Sequence, residues 1–401
     1  MKLQQTNRTF IWKLLQSPRS AVAGVSTFLL FVLVMGIAFF VRLPFLNSSF
    51  WLDEAAQAIE STRPFNQQLL LAEDFQPPLI HLIVHFVAYV AKTEWWLRIF
   101  GALIPGLVSI WFATLIVKKI LGFKEAVWIG LFLATNSLHV SFSQELRPYA
   151  LPAAFASISW WLLLQITTNT IDKSSKNDKI QDRKIKALFI ASTVAGLYSS
   201  YLYPFLIVGQ LAYIVWKKQF KNLFIPLAIS ALLFLPWMPF FLEQLRVGGA
   251  LRVALPGWDQ VVSIPQWKAL ALVPAKFLFG VLKLDLGSVL SIGIGSGLLA
   301  AIVLTRFLVR HPLQSLISLS FLQTKSTTLK LPFKWKLDLS AVNISTAQAL
   351  VIAWFGIPFL SSWLVSWWVP VVSPKRLLFA LPAFYLLFLV IPWIRSRTIL
   401  Q

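Results

Sequence analysis

Long runs of Leu, Ile, Val, Phe and Ala, broken by short polar and basic stretches, recur along almost the whole chain. They lack the residue-by-residue alternation of membrane β-strands and match instead the ~20-residue, all-round apolar segments of helices that cross a bilayer. The pattern predicts spans near 21–41, 95–117, 126–141, 148–167, 186–200, 202–216, 223–241, 286–309, 348–368 and 377–394. The first run is too long for a signal-peptide core and has no small-residue cleavage site before Arg42, which reads as a retained anchor. Pro78 to Ala91 is apolar but short of the ~20 residues that a crossing needs, so it is expected to lie flat in the outer interface. The pair between Lys186 and Lys217 has little chain for two crossings, which predicts short helices or a locally thinned bilayer.

Basic residues fix which side is which. They cluster at Lys2 to Arg19, Lys118 to Lys124, Lys173 to Lys186, Lys217 to Lys221, Arg306 to Lys336 and Arg395 to Arg397, and these clusters hold most of the 36 Lys and Arg. All six fall on one side if about ten helices cross, and the positive-inside rule makes that side cytoplasmic, with both termini there. The expected organisation is a cytoplasmic N-terminus (1–20), a transmembrane core (21–241) with a first outer loop (42–94), a second outer loop (242–285), C-terminal spans (286–394) around a cytoplasmic loop (310–347), and a tail (395–401). Trp51, Trp95, Trp96, Trp258, Trp267, Trp367 and Trp368 flank the outer segments as interface anchors do.

Composition agrees. Of 401 residues, 57% are hydrophobic and 13% charged, with a mean hydropathy of +0.72, which predicts an all-α polytopic membrane protein. The net charge of +21 is a topology signal with a contact to anionic lipid, and nucleic acid is not an expected partner. Cysteine is absent, so disulfides, thiolate nucleophiles and cysteine metal sites are excluded.

Chemistry gathers on the outer side. Asp53 and Glu54 form an adjacent acid pair just after the first span, followed by Glu73, Asp74 and Gln76 and, at a later turn, Glu145, Arg147 and Tyr149. Charged groups near a membrane cost several kcal/mol, so such a cluster meets a cation, a proton or a polar substrate. Pro77 and Pro78 hold the preceding residues extended, setting Asp74 and Gln76 at the mouth of the flat helix, and Pro148 leaves Arg147 just outside the next span. An acid able to take a proton beside a guanidinium suits transfer from a lipid phosphate, and a structural pairing of Arg147 with Glu145 or a lipid headgroup is the alternative. Asp53, Glu54 and Asp74 could hold a hard divalent cation through oxygen. His81 and His85 lack the intervening Glu of a zinc-protease helix and are expected to be partly solvated imidazoles; His139 and His311 are expected to be structural.

Trp51-Leu-Asp-Glu-Ala, Gln76-Pro-Pro-Leu-Ile, Leu97-Arg-Ile-Phe-Gly-Ala-Leu, Leu146-Arg-Pro-Tyr-Ala-Leu and Val372-Ser-Pro-Lys-Arg-Leu-Leu-Phe-Ala-Leu-Pro together resemble the polytopic glycosyltransferases of family 39. These are relatives of the protein O-mannosyltransferases and of the lipid A aminoarabinose transferase. The resemblance implies a GT-C helical bundle with flat juxtamembrane helices in the first outer loop. It further implies inverting transfer of a sugar from a polyprenyl-phosphate carrier to an acceptor hydroxyl outside the cytoplasm, in a bacterial plasma membrane. Asp53 would be the general base or its metal-linked equivalent, with Glu54 beside it. Asp74, Gln76, Arg147, Tyr149, Lys375 and Arg376 would contact substrate, the last two in competition with simple snorkelling to headgroups. Asp53 and Asp74 would be the ligands of any divalent cation. The chain departs from the family at Gln76, where some relatives carry Lys, and at Ser200, where many carry His. The end of the chain soon after its last span leaves acceptor recognition to the outer loops, an expectation that favours a small or lipid-borne acceptor. The competing class is a lipid or solute transporter with an outward acidic site, but the spans carry few acids and show no paired halves.

Overall fold

The computed structural model describes residues 18–69, 71, 74–168, 176–255, 257, 266–280 and 345–397. Every regular element among the described residues is helical. Helix α1 (Pro18–Arg42) leads to two short helices, α2 (Leu52–Ser61) and α3 (Leu79–Val87), and then to α4 (Glu94–Ile120), α5 (Phe123–Thr135) and the brief α6 (Ser137–Phe142). There follow α7 (Ala150–Thr168), α8 (Lys176–Leu197), α9 (Tyr203–Trp216), α10 (Phe220–Phe234) and α11 (Met238–Ala254). Last come α12 (Gln266–Phe279), α13 (Thr346–Val365) and α14 (Leu381–Arg397).

Among the described residues four helices are long and apolar enough to cross a membrane: α4, α7, the Leu223–Leu251 stretch of α10 and α11, and α13. Three further apolar helices are shorter: Leu29–Arg42, Tyr203–Trp216 and Leu378–Val390. Phe224, Ile225, Leu232 and Leu233 stand exposed on the outside of α10, a surface suited to acyl chains and costly in water. At nine residues α3 is about 13 Å long, too short to span.

The helices differ from the sequence pattern in two places. The predicted span 126–141 breaks at Asn136, because this side chain is used for capping: its Oδ1 accepts from His139 N at 2.9 Å, while its Nδ2 donates to Phe277 O at 2.9 Å and to Tyr385 Oη at 2.6 Å. In the predicted second outer loop (242–285) most of the described residues are helical: α11 continues to Ala254, and α12 buries Ala269, Val273 and Phe277 in the main core. The predicted span 286–309 and His311 lie outside the described residues, as does nearly all of the predicted cytoplasmic loop 310–347.

Two contacts show how the bundle closes. Arg42, fully buried at the end of α1, donates to Ala134 O at 2.9 Å and Leu133 O at 3.1 Å, supplying the partners that the C-terminus of α5 lacks. It also meets His139 Nδ1 at 2.9 Å, and His139 Nε2 lies 2.8 Å from Ser109 Oγ, so this histidine joins α1, α4 and α6. At the centre Trp160 stacks on Trp354 with centroids 5.7 Å apart, and Trp354 Nε1 donates to Phe379 O at 2.8 Å.

Helices α9 and α13 touch backbone to backbone where α13 is wound as a π-turn (Val351–Gly356). A Cβ at Gly209 would lie 1.8 Å from Ala353 O, so the crossing requires glycine. Gly209→Ala is expected to push these helices apart and cost about 1 to 3 kcal/mol. The check is a lower melting temperature of the detergent-solubilised protein, followed by tryptophan fluorescence.

Candidate active site

The site starts with a division of labour between neighbours. Successive residues on an α-helix point about 100° apart, so Asp53 and Glu54 on the first turn of α2 cannot face the same way. Glu54 turns inward: it is 2% exposed and forms a bidentate ion pair with Arg98, 2.8 Å from Nε to Oε1 and 2.6 Å from Nη2 to Oε2. Its Oε1 also accepts from Leu146 N at 2.7 Å. Arg98 Nη1 donates onward to Leu46 O at 2.9 Å and Ser48 O at 2.5 Å, and its guanidinium lies 4.8 Å from the Phe50 ring centroid. The expectation that Glu54 works beside Asp53 is therefore corrected. Glu54 has no free face for a substrate and instead binds three chain segments together.

Asp53 stays half-buried at the edge of the site, and its carbonyl oxygen lies 3.4 Å from Arg147 Nη1. That guanidinium reaches on toward Asp74, 3.9 Å from Nη1 to Oδ1. Burial opposes its charge, but Tyr149, Asp74 and Asp53 more than offset this, so Arg147 is held firmly cationic. Lys375, from the segment before α14, stands 5.2 Å from the centroid of the Tyr149 ring. Arg376 donates to Pro370 O at 3.2 Å, and its basicity is lowered by burial and by Arg147, with Tyr149 opposing. The site thus gathers Asp53, Asp74, Arg147, Tyr149, Lys375 and Arg376 from three distant parts of the chain.

Glu145 enters the same space. Its Oε1 is buried without a hydrogen-bond partner, and burial pushes its carboxyl up to about 7; Glu54 and Asp53 add to this, while Lys375 and Arg147 oppose it. From the sequence Glu145 is expected on the outer face as a possible structural partner of Arg147. The signal available was its position two residues before Arg147 in a turn rich in ionisable groups.

Behind Asp74 lies a denser polar knot. Asp74 Oδ2 meets His81 Nε2 at 2.5 Å and accepts from Gln76 Nε2. Gln76 Nε2 is also 2.6 Å from Gln57 Oε1 and 3.0 Å from His81 Nε2, and Gln57 Nε2 lies 3.0 Å from His81 Nδ1. The expectation of solvated imidazoles fails here: His81 is 0% and His85 6% exposed, because α3 packs its histidine face onto α2. Asp53 stands apart from this knot. Among the described residues the group of possible metal ligands is Glu60, Asp74 and His81, with donor atoms within 4.8 Å of one another. Gln244 of α11 fixes the loop from behind through Gln76 O at 3.2 Å and Leu71 O. Glu73 falls outside the described residues.

No protein-family model matches the chain, and no curated protein is significantly similar to it. Among solved structures it is similar to ArnT from Cupriavidus metallidurans in the apo state, with a TM-score of 0.53 at 14% identity over 94% of this chain. The chain spans 61% of the length of that structure. The likeness establishes a shared helical membrane fold.

Two measurements test the electrostatics. A carboxyl raised by folding stabilises the protein while protonated, so the contribution of Glu145 is full below about 4.5 and is lost as pH rises through about 7. Glu145→Gln is expected to remove a pH dependence of stability on the order of 3 kcal/mol across that window, read from melting temperatures at a series of pH values. Glu54→Ala strands Arg98 in the interior and is expected to cost about 3 to 5 kcal/mol, seen as protease sensitivity of the 42–94 segment.

Proposed function

We propose that this chain is a membrane glycosyltransferase that moves a sugar from a polyprenyl-phosphate carrier to an acceptor hydroxyl at the outer face, with inversion. The observation that carries this reading is the gathering of Arg147, which reaches the Asp53 carbonyl and approaches Asp74, with Lys375 over the Tyr149 ring, in a bundle that shares its fold with ArnT. The family resemblance of the sequence motifs supplies the reaction class.

The acceptor hydroxyl attacks the anomeric carbon from the face opposite the phosphate, and its proton passes to Asp53. The bond from that carbon to the phosphate oxygen breaks at the same time, and the electron pair leaves with the lipid phosphate. Arg147 and Lys375 offset the charge that develops there, and a guanidinium is well shaped to grip two phosphate oxygens. In this partly buried setting the charge of Arg147 acts on a phosphate more strongly than it would in bulk water.

The carrier's chain has a matching surface. An apolar cleft of about 600 Å³ opens beside Leu79 and Leu82 of α3 and runs along Ala187, Ala191 and Ala195 of α8. Leu79 directly follows the two prolines and Gln76, so the cleft begins next to the polar site. A lipid phosphate held by Arg147 would thus have acyl-like surface within reach. The acceptor on this reading is small or lipid-borne, and the enzyme is an integral protein of a bacterial plasma membrane. The transporter alternative is disfavoured because the ionisable groups gather at one end of the bundle.

Purified protein incubated with radiolabelled prenyl-phosphate sugars is expected to transfer label to a glycolipid or small hydroxyl acceptor. Asp53→Asn should reduce turnover at least ~10³-fold with an unchanged melting temperature, and Arg147→Ala should raise the donor KM and lower kcat. Wild-type turnover in Asp53→Asn would remove this residue as the base. Label moving across vesicles without any change of covalent linkage would favour the transporter.

A further inference from the structure

Two polar atoms of one turn are buried without a partner: Glu145 Oε1, an acceptor, and Arg147 Nε, a donor. They flank Leu146, whose side chain is fully buried and whose amide is held by Glu54. Arg147 N donates to Glu145 O at 2.7 Å, and a reversal this tight keeps the residues on either side of Leu146 close together. Arg147 and Lys375 both favour the charged form of Glu145, yet among the described residues neither makes an ion pair with it. Buried polar atoms are nearly always satisfied, so an orphaned donor and an orphaned acceptor in one turn mark a place for the polar groups of a ligand.

The chemistry of that ligand is narrow. A cation would suit Glu145 but be repelled by Arg147 and Lys375. An anion would suit Arg147 but be repelled by Glu145 and Asp53. A hydroxyl suits both atoms at once, because it donates to Glu145 Oε1 while accepting from Arg147 Nε–H. The placement agrees. The carboxyl of Glu145 feels Asp53 and Glu54 on one side and Lys375 and Arg147 on the other, so it lies between the acidic and the basic edges of the site. If the attacking hydroxyl meets Asp53 and the phosphate meets Arg147 and Lys375, the sugar ring occupies the space between.

We propose that Glu145 Oε1 and Arg147 Nε together bind one ring hydroxyl of the donor sugar, which makes Glu145 a specificity-determining residue. This assignment rests on the glycosyltransferase reading above. The terminal nitrogens of Arg147 remain for the phosphate, since Nη1 makes only long contacts, 3.4 Å to Asp53 O and 3.9 Å to Asp74 Oδ1. One bond to the ring and others to the phosphate fix the rotation of the sugar, so its anomeric carbon is presented in a single orientation. Water fills the same gap in the absence of sugar, so the pair acts chiefly by rejecting a sugar that lacks the hydroxyl.

The full-length protein in detergent is titrated at pH 8 with the tightest-binding radiolabelled prenyl-phosphate sugar, with its monodeoxy analogues and with bare prenyl phosphate. The wild type is expected to bind one analogue about 10- to 100-fold more weakly than the parent sugar. Glu145→Ala is expected to bind the parent about 10- to 100-fold more weakly, to be indifferent to that deoxygenation, and to hold bare prenyl phosphate as the wild type does. Glu145→Gln, with a neutral acceptor in place of a charged one, should discriminate only about 3- to 10-fold. A wild type indifferent to every deoxygenation would overturn the assignment, as would losses from Glu145→Ala and from the analogue that multiply instead of merging. If Glu145→Ala does not fold, undiminished discrimination in Glu145→Gln overturns it. Failure to bind prenyl phosphate in any form would refute the glycosyltransferase, whereas binding and transfer without coupling at Glu145 would refute this assignment alone.

Discussion

The buried pair of Glu54 and Arg98 is the constraint on which the polar end of the bundle depends. A carboxylate and a guanidinium taken out of water lose several kcal/mol of hydration each, and only dense hydrogen bonding recovers it. Here the recovery comes from the chain itself: Arg98 bonds the carbonyls of Leu46 and Ser48, and Glu54 bonds the amide of Leu146. One ion pair thereby locks the exit of α1, the first turn of α2, the start of α4 and the turn before α7. Moving any of these segments breaks a bond in the interior.

That lock decides the chemistry next to it. With Glu54 pointing inward, the helical geometry swings Asp53 about 100° away, toward the edge where Arg147 lies. Because Leu146 is tied to Glu54, Arg147 follows it in sequence into the same neighbourhood. The separation of the inward acid from the outward one is a product of helix pitch. In this arrangement Glu54 is paired with Arg98, while Asp53 lies on the side where Arg147 reaches its carbonyl.

Much of the fold is legible in the sequence because lipid imposes a simple rule: long apolar runs become helices, since no other element of a short segment satisfies its own backbone. The short α3 was legible for the same reason, its length being too small to cross. The break at Asn136 was not, because it depends on Phe277 and Tyr385, which lie far away in sequence. The helices α11 and α12 in the predicted second outer loop were missed because moderately polar stretches read as loop, whereas α12 buries only one apolar stripe. For the site, the positions Asp53, Asp74, Gln76, Arg147, Tyr149, Lys375 and Arg376 are readable as residue types at a membrane face. Their division into roles is not. Glu54 and Arg98 are 44 residues apart, and nothing local indicates that they pair. His81 and His85 look like interfacial imidazoles until α2 is laid over them.

The charge balance of the site has a direction. On one side stand Asp53, Asp74, Glu60 and the half-neutral Glu145; on the other stand Arg147, Lys375 and Arg376. The acids sit on and around α2 and α3, whereas Lys375 and Arg376 arrive from the segment before α14, with Arg147 between the two groups. Arg376, held beside Arg147 with its basicity lowered by burial, is a cation whose surroundings would be relieved by an anion. The carboxyl of Glu60 is raised by burial and by Asp74, while His81, Arg63 and Arg147 oppose the shift. The two halves do not cancel directly, since Arg147 reaches only one oxygen of Asp74 and does so at 3.9 Å. The site is therefore polarised, its basic side chains toward the segment before α14 and its acids toward α2 and α3.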